Sequence, residues 1–224
     1  MKESKYRMLD LFSGLGGASQ AMEEDDDWEV VTVDIEEKFN PDICEDILEL
    51  EPDDFDGEFD LVWASPPCPC FSMMTTGHYW KEYPIPRQKE TADSIRLVFH
   101  TLYLIGQIKC DYWYLENPMG MLRKILGLPK GTITQCQYGL DRMKPTDLWG
   151  EHPDSMIYKR CSNGDSCHDR APRGTKDAGT QDKDKTPAER SKIPYGLSEV
   201  VKEAVENPDK NTLKSFNGGE KQNA

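Results

Sequence analysis

Short apolar runs separated by polar stretches mark the chain from its start. Residues 6–11, 29–33, 43–47, 61–64, 112–115 and 132–138 each hold a brief cluster of aliphatic or aromatic side chains, bounded by glycine, proline or charged residues, as short buried strands do. Between the fourth and fifth runs, apolar positions 95, 98, 99, 102, 105 and 108 recur at helical spacing and predict a helix over 91–108 that covers a sheet. Further helices are expected over 18–24, directly after a glycine-rich junction, and over 191–204, with Pro194 in the first turn. Strands alternating with helices predict an α/β fold built on a mostly parallel, doubly wound sheet. Residues 73–89 show neither period, so they are expected as a long loop: either a lid that closes over a ligand or a plain surface loop.

Open sheets of this kind bind ligands at the carboxyl ends of their strands, which gives weight to the residues immediately after each run. The first run opens into residues 10–17, DLFSGLGG, where glycines let the backbone turn tightly and approach an anionic group without a Cβ in the way. That pattern also suits a dinucleotide or a plain tight turn. The second run ends in Asp34, placed to accept from both ribose hydroxyls of a nucleoside. Residues 60–72 read DLVWASPPCPCFS: Pro66 and Pro67 stop the strand and leave Cys68 in a stiff turn at its carboxyl edge. Such a cysteine is either a nucleophile or a buried, inert thiol. The fifth run delivers Glu116, Asn117 and Pro118 to the same rim.

Taken in order, DLFSGLGG, PPCPCFS and ENP resemble the pattern of the DNA cytosine carbon-5 methyltransferases, DLFxGxGG, PPCxxFS and ENV. The resemblance covers residues 6–146 and, weakly, 190–205. KPTDLW at 144–149 and RSKIPYGLS at 190–198 are similar to the small solitary forms of that family carried by bacterial and archaeal viruses. It implies a Rossmann-like S-adenosylmethionine-dependent methyltransferase fold with a very small target-recognition insertion. The units would be a catalytic domain over 1–149, a target-recognition region over 150–190, a helix over 191–205 completing the catalytic domain, and a disordered tail over 206–224.

The resemblance also implies the residue roles. Cys68 would add to carbon 6 of a flipped-out cytosine, with Glu116 beside ring nitrogen 3, Asn117 helping to hold the base, and Lys144 near the cytosine carbonyl. S-adenosyl-L-methionine would be held by Asp10, Phe12, Ser13, Gly14, Gly16, Gly17, Asp34, Ile35, Asp46, Ile47 and Pro66. Departures are visible: Ile35 follows Asp34 where the family has an aromatic, Pro69 follows the nucleophile in place of glutamine, and Pro118 replaces valine. Around Lys144 the family's glutamine and arginines are replaced, with Arg142 as a substitute. Glu45 and Asp46 read equally well as a solvated acidic turn. The readings left open are methylation of DNA cytosine, modification of an RNA cytosine or use of another one-carbon donor, and an idle DNA-binding relative.

Composition narrows this picture in three ways. The net charge of −14 is uneven: residues 1–60 hold 21 acids against 4 bases, while residues 61–224 hold 20 acids and 23 bases. A double-stranded DNA partner is therefore compatible only through a local basic face, with modest, salt-sensitive affinity. No window of the sequence is apolar for about the 18 residues that a membrane span needs, and a cytoplasmic monomer is expected. Seven scattered cysteines argue for reduced thiols. No metal ligand is assigned to the catalytic site; Cys161, Cys167 and His168, with Cys136 or His152 as a fourth ligand, could hold zinc but lack the usual two tight pairs. Arg160, Arg170, Arg173 and Lys176 are expected at phosphates; Ser72, His78, Arg87 and Lys89 would touch phosphate or fill the hole left by an extruded base, or belong to a mobile surface loop.

Overall fold

The computed structural model describes residues 5–83, 85–169 and 185–209, with only the backbone of residue 74. The expected tail from residue 210 onward, and Arg170, Arg173 and Lys176, lie outside the described residues. In chain order the strands are β1 (Tyr6–Leu11), β2 (Trp28–Asp34), β3 (Ile43–Cys44), β4 (Phe59–Ala64), β5 (Trp80–Glu82), β6 (Ile85–Pro86), β7 (Cys110–Pro118), β8 (Gly131–Thr134) and β9 (Pro145–Glu151). The helices are α1 (Gln20–Glu23), α2 (Thr76–Tyr79), α3 (Lys89–Gln107), α4 (Leu122–Leu126), α5 (Pro187–Ser191) and α6 (Tyr195–Glu206).

Seven strands form one sheet in the order β3-β2-β1-β4-β7-β9-β8. The first five run parallel, and β9 is inserted antiparallel between β7 and β8. This is the Rossmann-like methyltransferase arrangement. The central strands β1 and β4 have near-continuous apolar runs because both faces are covered. On one face Met8, Leu61, Trp63 and Tyr114 pack with α1 and α6; on the other Leu9, Leu11, Val62 and Ala64 pack with Leu104 and Ile105 of α3. Each fully buried Leu, Val or Met side chain among these stabilises the fold by about 1.5–3 kcal/mol. Sequence-distant α6 is tied to the glycine junction by Ser198, whose hydroxyl donates to Ala18 O at 2.6 Å and accepts from Ala21 N at 3.0 Å.

Three expectations are revised. Residues 73–89 are not an unstructured loop: a 3-10 turn, α2 and the antiparallel hairpin β5–β6 fill them, anchored by buried Trp80. Two- and three-residue strands leave too few positions for a period to register. The predicted strand over 132–138 stops at Thr134 and becomes a 3-10 turn, Gln135–Tyr138, while residues 145–151, read only as a resemblance, form β9. Phe99 of α3 faces outward, 52% exposed, because Val98, Thr101, Leu104 and Ile105 supply the buried stripe.

Candidate active site

The junction after β1 is shaped by backbone geometry that few residues adopt. Phe12 has φ +64°, a left-handed conformation costing roughly 1–3 kcal/mol for a residue with a Cβ, and its ring packs against the core on the α3 side. Ser13 N donates to Val33 O at 3.0 Å, binding the turn to the end of β2. Gly14, at φ +53°, donates its amide to Asp34 Oδ2 at 2.9 Å, and Glu36 N donates to Asp34 Oδ1 at 2.9 Å. Asp34 is thus a carboxylate held still by two amides, with lone pairs to spare for hydroxyl donors. A cleft of about 330 Å³ opens here, lined by Ser13, Gly14, Gly16, Thr32, Lys38 and Asn40 among others. Ile35 stands 63% exposed just beyond Asp34, an apolar side chain free to cover a ring. A larger open groove of about 570 Å³, between Glu24, Asp27 and Lys202, lies at the amino edge of the sheet, away from these residues.

Other residues expected at a cofactor have structural work in hand. A Cβ on Gly17 would lie 2.6 Å from Ile193 N and O, so this glycine admits the segment before α6 rather than a ligand. Asp46 caps the 3-10 turn Ile47–Glu49, accepting from Leu48 N at 3.0 Å, and Ile47 is 4% exposed in the core. Asp10 is 1% exposed; burial pushes its carboxyl up to about 7, Glu23 and Asp34 push the same way, and a hydrogen bond with Ser19 opposes them. Ser19 Oγ also lies 2.7 Å from Glu23 Oε1, and Asp10 Oδ2 has no hydrogen-bond partner.

The second part of the rim is the turn after β4. Ser65 N donates to Leu11 O at 3.2 Å and accepts Trp63 Nε1 on its hydroxyl at 2.7 Å, holding this turn beside the first. Buried Pro66 offers its carbonyl to Asn117 Nδ2 at 3.0 Å. Cys68 O accepts from Phe71 N at 3.0 Å and Ser72 N at 3.1 Å, and Phe71 O accepts from Met121 N at 2.7 Å. Ser72 also bridges to Gly120, where a Cβ would sit 2.2 Å from Phe71 O. Cys68 is therefore fixed in a tight turn clamped to the segment after β7, and it is half-buried rather than sealed. Cys70 turns away: buried, it accepts from Ser94 Oγ at 3.2 Å, under α3.

Pairing with β9 carries β7 past the end of β4, since Glu116, Asn117 and Pro118 pair with Leu148, Asp147 and Thr146 whereas pairing with β4 ends at Leu115. Glu116 consequently lies inside a strand beside the place where β4 stops. It is 5% exposed, and its Oε1 is without a partner, as is Asn117 Oδ1. Burial pushes the Glu116 carboxyl up and Asp147 adds to this, while Lys144 and a hydrogen bond from Ser65 oppose it. Burial also pushes the Cys68 thiol up, the Glu116 carboxylate pushes the same way, and the Lys144 ammonium opposes both. Cys68, Glu116 and Lys144 thus act on one another, and Lys144 Nζ is steadied by Arg190 O at 3.3 Å. Arg142 stands half-exposed in the turn before β9.

Sequence reading missed the support beneath this rim. Fully buried Asp147 takes a forked ion pair from Arg123, 2.6 Å from Nη2 and 2.5 Å from Nε, and a hydrogen bond from Thr132 Oγ1 at 2.8 Å. Gln135 donates Nε2 to Thr146 Oγ1 at 3.0 Å and leaves its buried Oε1 unpartnered. The aspartate inside KPTDLW was the available signal, a carboxylate directly before the apolar pair Leu148 and Trp149. Of the expected phosphate contacts, Ser72 is half-buried and His78, Arg87, Lys89 and Arg160 are exposed. Of the two candidates for a fourth zinc ligand, Cys136 joins Cys161, Cys167 and His168, whereas His152 stacks on Tyr114 and bonds Tyr158.

Comparison with known proteins adds four findings. Residues 6–135 match the sequence profile described as C-5 cytosine-specific DNA methylase. The chain is 30% identical over 176 residues, 72% of its length and 77% of the relative's, to a "Probable DNA (cytosine-5)-methyltransferase" of Frog virus 3 (isolate Goorha). Among solved structures it is similar to a protein described as a DNA modification methyltransferase encoded within an E. coli prophage, with a TM-score of 0.46 at 17% identity over 65% of this chain and 46% of that one. It is also similar to a type I restriction-modification methyltransferase subunit of Streptococcus thermophilus, with a TM-score of 0.38 at 14% identity over 67% of this chain and 40% of that one. The matches span less than half of either of these two structures.

Proposed function

The chain belongs to the C-5 cytosine-specific DNA methylase family, and from that premise we propose that it transfers a methyl group from S-adenosyl-L-methionine to carbon 5 of a cytosine extruded from double-stranded DNA. Cys68 is the nucleophile, Glu116 the acid beside ring nitrogen 3, and Lys144 and Asn117 hold the base. The observation that carries this reading is the joint electrostatics of the rim: a half-buried thiol beside a buried carboxyl with a free oxygen, both within the influence of one ammonium.

Carbon 5 of an aromatic pyrimidine is a weak nucleophile. The Cys68 thiol gives its proton to solvent, and formation of the sulfur–carbon 6 bond then pushes the electron pair of the 5,6 double bond toward carbon 5. The proton that Glu116 holds through burial passes toward nitrogen 3 and neutralises the charge this places on the ring. S-adenosyl-L-methionine bound in the cleft would supply an electrophilic methyl group to that carbon. Loss of the carbon-5 proton to water then restores the double bond and expels the Cys68 thiolate. A stacked base cannot reach a sulfur at the strand rim, so extrusion is required.

Features of the cleft and of the residues beside it support such a donor. Gly14 has no Cβ to block the opening, where a built one would meet only Phe12 O at 4.0 Å. Asp34 is positioned for ribose hydroxyls, Ile35 for the adenine face, and Phe12, Ser13 and Gly16 for the amino-acid end and sulfonium. Asp10 and Gly17 shape the turn rather than touch the donor, Asp46 and Ile47 offer mainly backbone, and Pro66 forms the wall next to Cys68. We assign residues 5–149 and the helix α6 to one catalytic unit, since α6 packs on α1, and the segment from residue 150 to α5 to target recognition. No helix among the described residues is long and apolar enough to cross a membrane.

The direct test is mass analysis of DNA incubated with the protein and donor. The native chain yields 5-methylcytosine, and Cys68→Ser, which removes the nucleophile but little volume, lowers the rate by about 10³-fold or more. Unchanged methylation by Cys68→Ser would overturn the assignment.

A further inference from the structure

Four side chains with donor atoms converge beside the rim and take no part in methyl transfer. Cys136 comes from the 3-10 turn after β8, and Cys161, Cys167 and His168 from the segment after β9. Cys136 Sγ lies 3.2 Å from Cys161 Sγ and 3.7 Å from Cys167 Sγ. His168 Nδ1 lies 3.7 Å from Cys161 Sγ and 3.4 Å from Cys167 Sγ, and all four donor atoms fall within 4.8 Å of one another. A tetrahedron built on metal–sulfur bonds of about 2.3 Å has edges of about 3.8 Å, slightly shorter toward nitrogen. The four separations surround one ion-sized space. Thiols are weak hydrogen-bonding groups, so mutual attraction gives little reason for three to gather with an imidazole.

We infer that Cys136, Cys161, Cys167 and His168 form a structural Zn²⁺ site. Three sulfurs and one imidazole nitrogen are a soft set that favours zinc over magnesium or calcium, and four protein ligands leave no open position for catalysis. On binding, three S–H bonds break, three zinc–sulfur bonds form and three protons leave to solvent, with no change of oxidation state. The surrounding backbone is organised for this. Cys161 N donates to Thr134 Oγ1 at 2.8 Å, Thr134 N to Lys159 O at 3.0 Å and Asp169 N to Asp141 O at 2.8 Å, so both ends of the ligand segment are fastened to β8 and the turn beyond it. The ion staples residues 159–169 to the segment that presents Lys144, because Gln135, next to Cys136, donates its amide to Lys144 O at 3.1 Å. This site is independent of the methyl-transfer proposal.

Elemental analysis of the full chain, purified reduced and without chelator, is expected to give one zinc per molecule. Exchange for Co²⁺ should produce sulfur-to-metal charge-transfer absorption and the visible bands of tetrahedral coordination. The double variant Cys161→Ser/Cys167→Ser should lose both signals, whereas Cys44→Ser/Cys110→Ser, outside the cluster, should keep them. Should the first variant fail to fold, the native protein decides alone. Absence of zinc together with absence of a cobalt–thiolate band after reconstitution with Co²⁺ would overturn the proposal, as would undiminished zinc in a folded Cys161→Ser/Cys167→Ser variant.

Discussion

At the scale of single residues, the behaviour of Cys68 and Glu116 depends on where one proton sits. Burial raises both groups, and in the proposed mechanism the reacting pair is thiolate with protonated carboxyl, one proton between two sites. The pair titrates as a unit, so methylation should rise as the first proton leaves and fall as the second does. Glu116→Gln keeps the shape but cannot donate that acid proton; it should lower the rate by about 10²–10⁴-fold and replace the bell by a single rising limb. A pH profile of kcat/KM decides this, and a falling limb retained in Glu116→Gln would contradict it. Asp10 gives a second residue-scale test. Its carboxyl is raised from 3.8 to about 7 in the folded chain, so folding binds a proton and stability present below pH about 4 is lost as pH rises through about 7. The effect is at most about 4 kcal/mol, and Asp10→Asn should abolish it. Urea unfolding without donor should show the variant gaining on the native chain between pH 5 and pH 8; a pH-independent difference would contradict this account. Cys68, Glu116 and Asp34 were legible in the sequence because each closes an apolar run. Gly17 and Asp46 were not, since their partners, Ile193 and the turn after β3, are visible only in three dimensions.

At the scale of elements, the rim depends on turns that touch. The turn after β4 has no hydrophobic period to hold it, and its place is set by Asn117, Met121 and the Ser72–Gly120 bridge. Gly120→Ala would force a Cβ toward Phe71 O, a backbone atom that cannot swing aside, so the two segments must part. The expected result is a loss of about 1–3 kcal/mol in stability and a fall in kcat larger than the change in donor affinity, measured by thermal unfolding and donor titration. An active variant with unchanged kcat would show that the clamp does not position Cys68. The parallel strands were legible because each apolar run is bounded by glycine, proline or charge, and α3 because its period extends over about five turns. The hairpin β5–β6 and strand β9 were not: the first is too short, and the second hides Asp147, whose charge is neutralised by Arg123 from a distant helix.

At the scale of the whole molecule, an acidic first quarter is joined to a part with a slight excess of bases. Arg87, Lys89 and Arg160 are exposed and Arg142 and Lys144 half-buried, and all five lie in the part with the excess of bases, available to a polyanion. The helix α6 returns to brace the first glycine turn, so the cleft after β1 and the turn that holds Cys68 share one sheet edge although their residues are spread from position 10 to position 198. That convergence is the central claim, and covalent capture tests it most directly. Incubation of the native chain with donor and duplex DNA carrying 5-fluorocytosine should yield a denaturation-resistant protein–DNA adduct, because the fluorine cannot leave as a proton does, with the link mapped by mass spectrometry to Cys68. An adduct mapped to another cysteine, or none from an enzyme that methylates ordinary DNA, would contradict the account.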